Sequence, residues 1–315
     1  MFGPDSLAVV QLRLNRTFGL SFAGVRVHPP AMNPSLKSLI FSSLIAALGT
    51  VAVPAASFNE PIGLQLYSLR ADFTKNVPAS LEKVRSFGVR DVELAGTYNL
   101  SPEKFKEMLS ANKLNAVSGH FPFARYKADP EGVAKDAKAL GLEYAGCAWI
   151  DHKGDFNEAS TREAIEVFNK AGEVLAGHGI KFFYHCHGFE FRPHGDGTFM
   201  DLLMKETNPK FVRFQMDVFW VVHPGQDPVK WLEKYPGRWE LMHVKDMKKG
   251  LKTGEFTGKT DVSNDVTVGT GQMDWPAILK AAKKSGVKHY FIEDESPTAA
   301  EQIPESIKYL KTVKW

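Results

Sequence analysis

Ionisable side chains lie in or at the ends of apolar, strand-length runs of this 315-residue chain. Burying a charge there is costly unless it is paired or bound to metal. Glu93 lies in DVELAG, His120 in NAVSGHFPF, and His185, His187 and Glu190 in IKFFYHCHGFEF. Gln215 and Asp217 fall in VRFQMDVFWVV, His243, Lys245 and Asp246 in WELMHVKDM, and Glu293, Asp294 and Glu295 in HYFIEDE. Any one of them alone reads as a strand-end ion pair or a core histidine. Their recurrence in each of the last four runs reads as a site. Period-two alternation pairs His185 with His187, Gln215 with Asp217, His243 with Lys245, and Glu293 with Glu295 on common faces. Glu190 reaches the same centre only where the strand ends or bulges around Gly188. Two glutamates, an aspartate and a histidine offer mixed oxygen and nitrogen donors. They suit one divalent cation, manganese, magnesium, cobalt or zinc, and not a thiolate site.

The elements that must position these residues are legible in the same stretch. Apolar runs at 62–69, 91–96, 115–123, 144–150, 180–191, 212–222, 239–247 and 289–295 alternate with amphipathic segments. Several of those segments open on Ser or Asp ahead of Pro or Glu and stop at Gly, as capped helices do. Near-continuous apolar strands alternating with helices predict a parallel sheet covered by helices. Eight such units fit a single closed (β/α)8 TIM barrel over 57–315, and no Gly-rich phosphate fingerprint follows the first strand to favour an open sheet. In such a barrel the chemistry sits at the C-terminal strand ends. The polar loop 248–272 follows the seventh strand at that end, with the length of a lid or of a plain excursion.

Composition bounds the function. Hydrophobic residues make up 43% and charged residues 24%, which suits a globular protein and excludes a disordered or multi-span chain. Cys147 and Cys186 are too few for a disulfide framework or a four-thiolate zinc site, and read as buried thiols. The formal charge of +3 resides in residues 1–56, where Arg13, Arg16, Arg26 and Lys37 face only Asp5. The neutral remainder exerts no long-range pull on nucleic acid or an acidic membrane. From Met32 the order is Lys37, an apolar run from Leu39 to Val53, and small residues at Val53-Pro54-Ala55-Ala56. That is the order of a secretory signal peptide, so residues 1–56 are expected to form a leader outside the fold. After cleavage the protein would be exported, periplasmic or secreted, without stable membrane insertion.

The strings YHCHGFEF, FQMDVFWVVHPGQDP, LMHVKDM, VGTGQMDWPAIL and FIEDE, in this order after the opening IGLQLYSLR, resemble the xylose-isomerase-like TIM-barrel superfamily. More narrowly they are similar to its sugar phosphate isomerase/epimerase branch. The resemblance implies a metal held by Glu190, Asp217, His243 and Glu293, with both glutamates flanking the substrate. It also implies a sugar pocket lined by Glu93, His120, His185, His187 and Lys245. Two departures stand out. Gly269-Thr270-Gly271 replaces a common Gly-Glu-Gly, and Cys186 replaces a common Asn between the two histidines.

Proton transfer beside a carbonyl needs a base and stabilisation of the enediolate oxygen, which a divalent cation supplies. Glu190 and Glu293 are the expected acid/base pair, with His120 or Lys245 as proton carriers if a glutamate serves only as ligand. Trp149, Phe219 and Trp220 read as an apolar wall for a sugar face or as core. His152, His194 and His223 read as loop histidines with weaker claims. The leading expectation is a metal-dependent sugar or keto-sugar isomerase/epimerase acting on a small, unphosphorylated substrate. The alternatives are a dehydratase or lyase on keto-inositols or 3-keto-glycosides, and a non-catalytic sugar-binding barrel. The neutral body argues against an AP endonuclease.

Overall fold

A computed structural model describes residues 56–315. The leader and signal segment lie outside the described residues, apart from Ala56. That residue, counted above with the leader, already belongs to the body: its carbonyl accepts the Trp315 N–H at 2.8 Å, and Ser57 bridges Lys314.

Eight strands close a parallel barrel: β1 Ile62–Gln65, β2 Asp91–Leu94, β3 Asn115–His120, β4 Tyr144–Cys147, β5 Lys181–His185, β6 Val212–Asp217, β7 Trp239–Val244 and β8 His289–Ile292. Neighbours in sequence are neighbours in the sheet, and β1 closes on β8 with Ile62 opposite Tyr290. The covering helices are α1 Val77–Ser86, α2 Pro102–Ala111, α3 Pro130–Leu140, α4 Glu158–Gly177, α5 Phe199–Glu206, α6 Pro228–Lys234, α7 Trp275–Ser285 and α8 Ala299–Leu310. All but α8 start on a side-chain cap. Asn76, Ser101, Asp129, Asn157, Asp227 and Asp274 each accept a first-turn N–H, and Thr198 forms a reciprocal box with Asp201. Gly141 and Gly286 close α3 and α7 in the left-handed conformation.

Two apolar layers result. The larger lies between strands and helices; a smaller one, Val117, Tyr144, Phe183, Leu241 and Phe291, fills the barrel axis. Two phenyl rings fit there because their neighbours lack side chains. A Cβ on Gly63 would meet Phe291 at 2.5 Å, and one on Gly146 would overlap Phe183. Following the pleat upward from this plug, Gly63 leads to Gln65, Phe183 to His185, Leu241 to His243 and Phe291 to Glu293. The polar layer therefore sits directly above the apolar one.

The strands are shorter than the apolar runs. Leu66–Leu69 becomes a 3-10 turn, Val218–Val222 a helical turn and Phe189–Phe191 another 3-10 turn. Each run stays apolar past its strand because the chain at the rim remains buried. Residues 248–272 form a strap across the C-terminal face. At its base Asp246–Met247 pairs antiparallel with Asp265–Val266. Gly254 N–H donates to the His223 carbonyl at 2.8 Å, and the His223 ring contacts the Glu255 carbonyl at 3.2 Å. A Cβ on Gly188 would run into the Thr257 carbonyl, and one on Gly258 would meet Trp149 at 2.6 Å. The strap thus lies close on the barrel mouth and is no loose excursion.

Candidate metal centre and active site

Asp217 ends β6. Its Oδ1 accepts the Trp220 N–H at 3.1 Å and so caps the following turn. Its Oδ2 is buried without a hydrogen-bond partner, and so is Nδ1 of His243 in the adjacent strand. These two orphan atoms are 3.6 Å apart, and Glu293 Oε2 at the end of β8 is 3.2 Å from the same nitrogen. One atom from each of the three residues falls within 4.8 Å of the others. Buried polar atoms are normally satisfied. A cation between them satisfies all three at once, so the donor set fits a metal.

The layer beneath explains why the lone pairs face this point. His243 Nε2 is 2.5 Å from Glu93 Oε1, so Nε2 carries the proton and Nδ1 is left as a donor to metal. Glu93 is itself held by Gln65 at 2.7 Å, Ser118 at 2.6 Å and Gln215 at 2.8 Å. Gln215 Oε1 accepts from His185 Nδ1 at 3.1 Å and from His120 Nε2 at 3.2 Å. His185 is thereby left with Nε2 free, 4.0 Å from Asp217 Oδ2. Asp217, His243 and Glu293 converge on one point, and His185 stands beside it, grouped with His120 and His243.

Glu190 is not among them, which corrects its assignment as metal ligand and acid/base. The chain turns after His185, and the 3-10 turn carries the Glu190 carboxyl back behind the barrel wall. There it bonds the Tyr184 hydroxyl and accepts the His187 N–H at 3.0 Å. Tyr184 packs on Phe168 of α4, so the pair belongs to the layer between strands and helices. Burial pushes the Glu190 carboxyl up to about 8, favouring the neutral acid. Glu93 also changes place. It is completely buried under the polar layer and does not line the cavity, so it supports His243 and does not meet substrate.

Above the centre opens a cavity of about 640 Å³. His120, His185, His187, Trp149, Trp220, Lys245 and Glu293 line it, with the indoles of Trp149 and Trp220 on its wall. Phe219 instead packs on Trp220 and Met247 in the core. Tyr67, Arg70, Ala95, Ala148, Glu295 and the strap residues Gly258, Lys259, Thr260, Val262 and Asp265 complete the lining. Of these, Tyr67 sits on the turn after β1 within an apolar run and Arg70 just past it, and neither was marked by the sequence. Gln65 carried a signal, a lone amide in the strand IGLQ. Asp246 is structural: it accepts the N–H groups of Gly269 at 2.8 Å and Gly271 at 3.1 Å and the Trp275 indole N–H at 2.9 Å. The Gly-Thr-Gly turn is thus a backbone clasp, and the missing glutamate of that turn leaves no gap in it.

Electrostatics sorts the remaining groups. For Lys245 burial disfavours the charge, but Glu293, Asp265 and Glu295 hold its proton well above the usual lysine range. Its ammonium is 2.6 Å from Glu295 Oε1 and 3.3 Å from Glu293 Oε2, so it is a donor and not a base. Burial lowers His187 to about 3 and takes His185 well below the imidazole range, which leaves both rings neutral. His187 Nδ1 has no hydrogen-bond partner, whereas both nitrogens of His120 are engaged. Burial opposes charge on His243, yet Glu293 and Glu93 favour positive charge there strongly. Glu93 is held at about 2: burial works against its ionisation, and His120 and His243 outweigh it.

A closed parallel barrel with buried carboxylates and imidazoles gathered at its C-terminal mouth defines a TIM-barrel class with its candidate site at the strand ends. The chain belongs to the xylose isomerase-like TIM barrel family, whose model matches residues 81–313. Its relatives include the inosose dehydratase of Clostridium botulinum (strain Alaska E43 / Type E3), 26% identical over 186 residues, which are 52% of this chain and 57% of that protein. The chain thus spans little more than half the length of the curated relatives it matches. A sugar phosphate isomerase/epimerase from Parabacteroides distasonis ATCC 8503 superposes with TM-score 0.67 at 26% identity, covering 83% of this chain and 99% of that one. The IolI protein with a bound zinc atom superposes with TM-score 0.63 at 15% identity, over 79% and 96%, a likeness of fold.

Proposed function

We propose that this protein is a metal-dependent enzyme that abstracts the proton beside a ketone of a small polyhydroxylated ring and completes the reaction by elimination. The observation that carries the metal dependence is the pair of buried, unpartnered atoms, Asp217 Oδ2 and His243 Nδ1, facing each other beside Glu293. His185, Asp217, His243 and Glu293 would hold the ion. Two imidazoles with two carboxylates suit zinc, cobalt or manganese better than magnesium, which favours oxygen ligands and retained water. Such an ion supplies Lewis acidity toward the carbonyl oxygen.

The protein's own groups divide the remaining work. His187, a neutral imidazole on the cavity wall, takes the proton from the carbon next to the carbonyl. That bond's electron pair moves into a carbon–carbon double bond as the carbonyl becomes an enolate. When the enolate collapses, the pair forms the new double bond and expels the substituent one carbon further on. The Lys245 ammonium protonates that leaving group. Water departs if the substituent is hydroxyl, and an alcohol if it is a glycosidic oxygen. The wall of Trp149 and Trp220 shields the intermediate from solvent.

Displacement of Glu190 from the centre favours elimination. The two-glutamate pair that a two-base epimerisation would use is not assembled, and the inosose dehydratases among the relatives act in the same sense. One-base isomerisation, with His187 returning the proton on the same face, is the second reading. Incubation with inosose and each metal in deuterated water tests the choice. The expected NMR outcome is a dehydrated enone; deuterium incorporation with retained oxygens would indicate isomerisation, and no exchange with any metal would overturn both.

A further inference from the structure

Asp265 lies on the strap, not on the barrel, and is 3% exposed. Its Oδ2 accepts the Glu295 N–H at 2.8 Å and lies 3.5 Å from the Lys245 ammonium. Lys245 is 1% exposed, with Glu293 and Glu295 on its other sides and the faces of Phe219 and Trp220 at 5.6 and 5.8 Å. The strap reaches into the cavity with Asp265 as well as Lys259, and the Asp265 side chain touches both Lys245 and the backbone of the residue pairing with it. The short ladder of Asp246–Met247 with Asp265–Val266 fixes where it stands.

We infer that Asp265 is a positioning residue: through it the strap sets the place of Lys245 and Glu295, so the donor geometry is complete only with the strap seated. A lysine has four rotatable bonds and is fixed in one place only when several acceptors surround it. Two of its acceptors belong to the segment after β8 and one to the strap, and the strap's acceptor is also the one that holds the Glu295 backbone. This deepens the functional reading above, which uses Lys245, and is testable apart from it.

The first test needs no substrate. Lys245 acylation by a small amine-reactive ester, quantified by mass spectrometry, is compared in the wild type, Asp265→Asn, Asp265→Glu and Glu255→Gln, a strap control with the same charge change. The inference expects labelling to rise about fivefold in Asp265→Asn, with the other two near wild type. Equal labelling in Asp265→Asn and wild type overturns it, as does an equal rise in Glu255→Gln. The second test uses inosose turnover. Asp265→Asn is expected to lower kcat about tenfold with KM and bound metal unchanged, whereas a fall in Tm and metal content in step with kcat would mark a structural role and overturn the inference. If Lys245→Met retains full turnover while labelling still responds to Asp265, the acid role of Lys245 fails and the positioning stands.

Discussion

Glu93→Gln preserves the shape beneath the metal centre and removes the charge that keeps the His243 proton on Nε2. Loss of such a partner typically weakens metal affinity about 10- to 100-fold, and chelator competition on the purified variant is expected to show a drop of that size. Glu190→Gln has the opposite expectation, with metal content and turnover largely retained, because the carboxyl bonds Tyr184 and not the centre. Its effect is on stability. The folded state holds the Glu190 proton up to about 8 against an ordinary value of 4.5. Between those values the folded protein keeps a proton that the unfolded chain has lost, so stability falls as pH rises, by at most about 1.4 kcal/mol per pH unit. Urea denaturation across that window is expected to show a shallower decline in Glu190→Gln than in wild type. Residue type and strand alternation marked Asp217, His243 and Glu293 as site candidates, and the resemblance to the superfamily implied their role as ligands. His185 against Glu190 was not, since the choice depended on where β5 stops, and a turn of a few residues moved one carboxyl behind the wall.

At the scale of elements, the strap is the part with a testable mechanical role. Gly188→Ala places a methyl group against the Thr257 carbonyl, so backbone must move. The expected result is faster proteolysis within 248–266 and a KM raised by about an order of magnitude, with little change in Tm, because the strap's contacts are local. Gly258→Ala presses on Trp149 and is expected to narrow the cavity in the same assay. Most helices announce their starts in the chain, because a capping side chain is a local chemical signal. The strands were read too long: apolar character continues past β1, β5 and β6 into buried turns, and composition alone does not separate a buried turn from a buried strand.

For the whole molecule, two measurements bear on barrel and centre together. Metal removal is expected to lower Tm, and re-addition of zinc or manganese to restore it in a concentration-dependent way, since an ion that binds only the folded protein stabilises it by mass action. Gly146→Ala is expected to destabilise the barrel by about 1–3 kcal/mol in denaturant titration, because the Phe183 ring occupies the space of the added methyl. Alternation of eight apolar runs with capped amphipathic helices, a body of zero net charge and polar residues at successive strand ends were properties of the sequence itself. They determined a closed parallel barrel with a cluster of ionisable residues at its mouth, because side-chain period and helix capping act over neighbouring residues. Which carboxylates and imidazoles converge, which of them only support, and that Asp265 of the strap reaches Lys245 were decided by the tertiary structure alone. Those contacts join residues far apart in the chain, and their directions follow from where each strand ends and how the chain turns there.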